Sequence, residues 1–257
     1  MKFIKYESRK RIGYITLSRP EKKNALNAEV VAELIQAFEQ AENDGSSKVI
    51  VLKAEGDVFC AGADLAYIQK LQGNTFEENH EDSILLKDLF LQIYQLNKVV
   101  IAQIQGHAIA GGAGLAALCD FSFSIPDAKF GYTEVRIGFI PAIVLVFLLR
   151  KVGESKAKEL LLSGNLIDSK TAMNMGLINW VVDNKELELK VNDFAQTLVQ
   201  KNSGQSMEVT KKMISKVQSM ELEKALEYAT EMNAKARQSE DCRKGIEAFL
   251  LKEKIKW

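Results

Sequence analysis

Residues 105–120 read QGHAIAGGAGLAALCD. Upstream, Val99 to Ile104 is an unbroken apolar run with the length and composition of a buried strand. Ala110, Gly111, Gly112, Ala113 and Gly114 then leave the backbone almost bare, and Leu115 to Leu118 resumes in helix-forming residues. A strand that passes through a small-residue turn into a helix start leaves backbone N–H groups without intrahelical partners. Such groups can face a negatively charged oxygen. The same residues would also serve simply to let a helix pack close to a strand, and this stretch by itself leaves both readings open.

A second segment has the same character. Val49 to Leu52 is an apolar strand, and Phe59-Cys60-Ala61-Gly62-Ala63-Asp64-Leu65 is a small-residue turn that follows it. Each of the two turns can aim one backbone N–H into a shared cavity. Two such donors on one carbonyl oxygen polarise it and stabilise an enolate, and losing one typically costs about 2.7–4 kcal/mol in a transition state. Two tight turns in a parallel sheet, with no chemical role, fit the spacing equally well.

Among the acids, Glu134 is the most informative. Its neighbours are Phe130, Gly131, Tyr132, Val135, Ile137 and Phe139. A carboxylate in that setting has a raised pKa, useful for passing protons near neutral pH; the plainer reading is an exposed glutamate at a helix start, favoured by the dipole. His107 reads as a packed imidazole after a strand and His80 as a solvated side chain. No metal-ligand spacing, Walker-type loop or dinucleotide fingerprint is present, and no metal is expected.

The totals narrow the class. A chain of 257 residues that is 47% hydrophobic buries one large core, or a core with a smaller appendage. Lys+Arg and Asp+Glu are both 34, so nothing favours a nucleic-acid or membrane surface. Cys60, Cys119 and Cys242 are odd in number and far apart, which fits a reducing compartment without disulfides or a cysteine metal site. The start has no apolar signal segment, and no run approaches the ~20 residues of a membrane helix; a cytoplasmic location is expected. Along the chain, Phe3–Tyr6 and Ile12–Leu17 predict a strand pair. Asn27 predicts the cap of a helix from about Ala28 to Glu42. Residues 72–82 read as a mobile loop, and Ile143–Leu149 and Ser155–Leu162 as separate helices. Strands alternating with helices, then an all-helical tail from about Lys201, predict an α/β core with a helical C-terminal subdomain.

Together these segments resemble the crotonase, or enoyl-CoA hydratase/isomerase, superfamily. The resemblance runs through Arg19-Pro20 with Asn24-Ala25-Leu26-Asn27, FCAGADL at 59–65, QGHAIAGGAGLAALCD at 105–120, AKFGYTEVRIGFIPA at 128–142 and LLLSGNLIDSKTAMNMGLINWVV at 160–182. It implies an α/β crotonase (ClpP-like) fold of repeated ββα units, with a core over 1–200, a helical trimerisation subdomain over 201–257, and a homotrimer or dimer of trimers. The implied substrate is an acyl thioester of coenzyme A, with no separate cofactor. By position, the N–H groups of Cys60 and Gly111 would hold the thioester oxygen. Lys22, Ala25, Ala61, Asp64 and Leu65 would line the adenine and pantetheine path, and Phe249 and Lys252 would reach a nucleotide on a neighbouring subunit.

One departure stands out. Two-glutamate hydratases of the superfamily carry a glutamate shortly after the second oxyanion glycine; that position is Gly114 here, and only Glu134 remains. The wording over 107–150 is similar to bacterial hydratases of γ-carboxylated enoyl-CoA substrates, such as methylglutaconyl-CoA hydratases of leucine breakdown. On that reading Gly114 leaves room for a branched acyl group with its own carboxylate. Glu134 activates the water, and Arg136 is either a counter-ion or, as is commoner, a solvated side chain. A one-glutamate isomerase, a decarboxylase and a silent acyl-CoA binder are the alternatives.

Overall fold

A hairpin opens the chain. Ile4–Arg9 (β1) and Ile12–Leu17 (β2) pair antiparallel across Lys10 and Arg11, both at positive φ, as a two-residue hairpin loop requires. The computed structural model describes residues 1–257. Eight strands follow: β3 (Val49–Ala54), β4 (Val58–Cys60), β5 (Val99–Ile104), β6 (His107–Ile109), β7 (Phe121–Ser124), β8 (Lys129–Gly131), β9 (Ile167–Asp168) and β10 (Trp180–Val181). They form a six-stranded sheet in the order β1-β2-β3-β5-β7-β10 and a four-stranded sheet in the order β4-β6-β8-β9.

The odd strands β3, β5 and β7 enter the larger sheet, and each is followed within a few residues by β4, β6 or β8 in the smaller one. Ten helices complete the chain: α1 (Ala28–Asn43), α2 (Leu65–Leu71), α3 (Phe76–Gln95), α4 (Gly111–Leu118), α5 (Ala142–Ser163), α6 (Ser169–Asn174), α7 (Leu187–Lys201), α8 (Gly204–Val217), α9 (Leu222–Gln238) and α10 (Glu240–Leu250). The units β1-β2-α1, β3-β4-α2, β5-β6-α4 and β7-β8-α5 are therefore four ββα repeats. The first four residues of β3 and of β5 are buried at every position, which explains why they read as continuous apolar runs without alternation. α1 is capped by Asn27, whose side chain accepts from the Val30 N–H, and it buries Val30, Val31, Leu34, Ala37, Phe38 and Ala41.

One local expectation needs correction. Residues 76–82 are not a loop: Thr75 and Glu78 form a reciprocal capping box that starts the 20-residue α3. The segments at 143–149 and 155–162 are two helical segments, as expected, and they meet at Gly153, whose φ of 76° and ψ of 167° are not helical. The C-terminal helices differ from the rest. α7 buries Leu187, Val191, Ala195, Leu198 and Val199, whereas α8 buries only Lys211, and α9 and α10 bury nothing. No helix is long and apolar enough to cross a membrane.

Candidate active site

The small sheet positions the site. β4, β6 and β8 are neighbours and run parallel, with Cys60 opposite Ala108, Ala108 opposite Phe130 and Ile109 opposite Gly131. Their carboxyl ends therefore lie side by side at strand spacing, roughly 5 Å apart. The segment 61–65 leaves from β4, 110–114 from β6 and 132–134 from β8. Ligands of parallel sheets bind beyond such carboxyl ends.

The first two segments touch. Gly62 has φ 85°, and a β-carbon there would lie 2.7 Å from the Ala110 β-carbon and 3.3 Å from the Gly111 nitrogen. At Gly112 a β-carbon would lie 2.2 Å from the Cys60 carbonyl oxygen. Backbone packs directly on backbone, so only glycine fits at these positions. Ala110, the residue before α4, takes φ 52° and ψ −123°, a sparsely populated conformation for a residue with a β-carbon. Its N–H donates to the Gly131 carbonyl at 2.7 Å, which ties the second turn to β8.

The free amides follow from this geometry. Gly111 is the first residue of α4, and its N–H has no acceptor within the chain. On the other turn, Cys60 lies inside the β4–β6 ladder and Ala61 donates to the Lys23 carbonyl. Gly62 accepts from the Leu26 N–H at 2.7 Å, and Asp64 donates to the Leu26 carbonyl at 2.8 Å. In a trans peptide the N–H points opposite to the C=O. The Ala63 N–H, sharing a peptide plane with the Gly62 carbonyl, thus points away from Leu26, and it has no acceptor. The unpaired donor on this turn is Ala63, three residues beyond the expected Cys60, because the strand ladder occupies the backbone of Cys60. The Cys60 thiol is fully buried and pushed up to about 12 by desolvation, so it is an inert packing group.

Glu134 opens a short 3-10 turn, Glu134–Ile137, just past β8. Its Oε2 is buried with no hydrogen-bond partner. Burial holds its carboxyl above the ordinary carboxylate range, and a hydrogen bond with its own backbone offsets part of that rise. Tyr132, two residues earlier, is completely buried, and its hydroxyl also lacks a partner. Neither Ala63 nor Tyr132 was singled out from the sequence. For Ala63 the missed signal is the bridge that pairs it with Leu26 across the turn; for Tyr132 it is the two-residue period from the buried Phe130.

Gly114 is not a vacancy. A β-carbon there would meet Val144 Cγ1 at 2.6 Å and Phe90 Cε2 at 2.9 Å, so apolar side chains already fill the place expected to be open. Arg136 is exposed, and its guanidinium donates to Asn165 Oδ1 at 2.7 Å, which agrees with a solvated role. His107 is exposed and its Nδ1 accepts from the Lys129 N–H.

Residues 19–26 line the same turn. Arg19 pairs with Asp64 at 2.9 Å and donates to the Ala25 carbonyl, while the Asp64 side chain also caps α2. Lys22 and Leu65 are exposed and Ala25 is buried, so Lys22, Ala25, Ala61, Asp64 and Leu65 form one ledge beside the free amides. Phe249 and Lys252 are elsewhere. Both are exposed, α10 packs on α9, and the chain's last carbonyl, at Trp257, accepts from Arg11 in the hairpin loop between β1 and β2.

The chain is similar to enoyl-CoA hydratases over nearly its whole length. A Thermus thermophilus protein that carries a provisional enoyl-CoA hydratase name is 37% identical over 241 residues, covering 94% of this chain and 95% of its own. The crotonyl-CoA hydratase of Syntrophomonas wolfei is 31% identical over 251 residues, covering 96% and 95%. The crystal structure of an enoyl-CoA hydratase from Shewanella pealeana superposes with a TM-score of 0.94 at 28% identity, covering 99% of this chain and 96% of that one. The family profile described as enoyl-CoA hydratase/isomerase matches residues 7–257. With four ββα repeats and a profile match over nearly its whole length, the chain belongs to the enoyl-CoA hydratase/isomerase family, within the crotonase superfamily.

Proposed function

We propose that the protein hydrates a 2-enoyl thioester of coenzyme A. The observation that carries this reading is a pair of unpartnered amides, Ala63 and Gly111, on two turns in contact, with an unpartnered buried carboxylate oxygen leaving the next strand. The thioester carbonyl oxygen accepts from both N–H groups. Ionised Glu134 takes a proton from water as the water oxygen bonds to C3. The C2–C3 π pair moves to form an enolate whose negative oxygen the two amides stabilise. Glu134 then returns the proton to C2, which leaves a 3-hydroxyacyl thioester and regenerates the carboxylate. The ledge at Lys22, Ala25, Ala61, Asp64 and Leu65 takes the coenzyme.

The finer choice of acyl group follows the lining. Val144 and Phe90 close the place at Gly114, and Arg136 is tied to Asn165, so no free cation is supplied there for a carboxylated chain. This favours a short uncharged acyl group over 3-methylglutaconyl-CoA. The single carboxylate also supports a second reading, an isomerase that carries a proton between C4 and C2. Incubating crotonyl-CoA, 3-methylglutaconyl-CoA and a 3-enoyl thioester in deuterated water, with products identified by mass, separates the readings. A 3-hydroxy product from crotonyl-CoA supports hydration; double-bond migration alone would replace it with the isomerase. Exposed Leu222, Leu226, Ile246 and Phe249 on α9 and α10 support a homo-oligomer, a homotrimer or dimer of trimers, whose neighbours cover those helices.

A further inference from the structure

Tyr132 presents a cost with no structural return. Its side chain is completely buried, and its hydroxyl meets no hydrogen-bond partner in the chain. Buried polar groups are nearly always paired, and a phenylalanine would fill the same volume without an unpaired hydroxyl. Two residues on, Glu134 Oε2 is in the same condition, buried and unpaired. One group is a donor without an acceptor and the other an acceptor without a donor, at the end of the same strand. We infer that Tyr132 is a positioning residue that donates its O–H to the Glu134 carboxylate when an acyl group closes the site. Electrostatics agree. Burial and the nearby Glu134 charge push the phenol well above its usual range, so it stays protonated and able to donate at every working pH.

The consequence is a base whose ionised form gains a side-chain donor beside its own backbone N–H. A hydrogen bond to the ionised form lowers a carboxyl pKa, so Tyr132 offsets part of the rise that burial imposes on Glu134. The inference rests on Glu134 being the base of the proposed reaction, but its test need not. The full-length protein is labelled with 13C at glutamate side-chain carboxyls, and the signal that vanishes in Glu134→Gln is titrated by NMR with a non-hydrolysable acyl-CoA analogue bound. In Tyr132→Phe this pKa is expected to rise by about one unit, the tenfold change that one charge-assisted hydrogen bond supplies. With 3-fluorotyrosine at 132, a stronger donor, it is expected to fall. This second variant keeps the test available if Tyr132→Phe folds poorly.

Kinetics add a second reading. In Tyr132→Phe the acid limb of kcat should move to higher pH, with kcat reduced about tenfold and KM changed less than about threefold. A merely structural tyrosine would move neither the limb nor the carboxyl titration. An unchanged Glu134 titration in both variants overturns the inference, whatever the enzyme turns over. A shifted titration in a protein that hydrates and isomerises nothing upholds the pairing and removes the proposed function instead.

Discussion

The turns of the small sheet and the C-terminal helices are built by opposite rules. At the turns, backbone lies on backbone: Gly112 rests against the Cys60 carbonyl, Gly62 against Ala110, and Ala110 is held in an uncommon conformation. In α9 and α10 no residue is buried, and Phe249 is 83% exposed. One region is fully determined inside a single chain, while the other presents apolar side chains with nothing of its own chain to cover them. The lesson is that the proposed site lies in the part that the chain completes by itself. The following experiments strain that contrast.

The largest effect is expected at Glu134. Glu134→Gln keeps the shape and removes the base, and hydration should fall by about 10²–10⁴-fold. Its stability should move the other way. A carboxyl whose folded-state pKa is raised adds stability below its unfolded pKa and loses it as pH climbs through the raised value. At neutral pH the folded protein thus carries a poorly solvated charge, and Glu134→Gln should melt slightly higher than wild type, the difference vanishing in acid. Wild-type kcat/KM should decline on the acid side above the ordinary carboxylate range, since the base must be ionised. Calorimetry at two pH values and a pH–rate profile check both. A variant that loses activity and stability together would show that site and fold cannot be separated here.

Restoring a second carboxylate is the next test. Gly114→Glu introduces the residue that two-glutamate hydratases carry, yet its β-carbon would lie 2.6 Å from Val144 Cγ1. Overpacking of this kind costs about 1–3 kcal/mol, and burying a charge beside Phe90 adds to it. Lower thermal stability with no gain in turnover is expected, and faster hydration would show that the position is open after all.

This is also where sequence reading reached its limit. The alternation of strands and helices, the cap at Asn27 and the two bare turns were legible because each depends on neighbours in the chain. Val144 and Phe90 come from distant helices, so the filled place at Gly114 could not be read locally. Choosing Cys60 over Ala63 as donor failed for a related reason. Which amide is free depends on β6 and Leu26, segments far away in sequence. The capping box at Thr75 and Glu78 was local and readable, and the polar composition of 72–82 hid it.

A smaller effect tests the joint between the two regions. Lys211, the one buried residue of α8, donates to Asp120 Oδ2 at 2.7 Å and to the Lys98 carbonyl at 3.0 Å. Beside it, a cavity of about 600 Å3 runs between Leu118, Phe147, Leu198 and Ile214 at the end of α4 away from the free amides. Lys211→Met removes the charge and leaves Asp120 with only the Val100 N–H among its donors. A loss of about 1.5–3 kcal/mol is expected in denaturant unfolding, with kcat unchanged. If the helices undock without loss of the core's own transition, the two regions fold separately. A single transition at lower denaturant would show that one cooperative unit includes both.

The smallest effect is expected at Arg136, which lies two residues from Glu134 and so invites a role in binding a carboxylated acyl chain. Its side chain is exposed, packs beside Gly164 and bonds Asn165, a uncharged partner on the surface. Surface substitutions away from special features stay within about 0.5 kcal/mol. Arg136→Ala should therefore leave stability and crotonyl-CoA turnover unchanged, and should also leave the ratio of 3-methylglutaconyl-CoA to crotonyl-CoA turnover unchanged. A selective loss on the carboxylated thioester, by tenfold or more, would mean that this arginine leaves Asn165 to meet the substrate. The contrast between the two regions would then fail in its simplest form, because an exposed surface side chain would be completing a site otherwise made of two backbone turns and the Glu134 carboxyl.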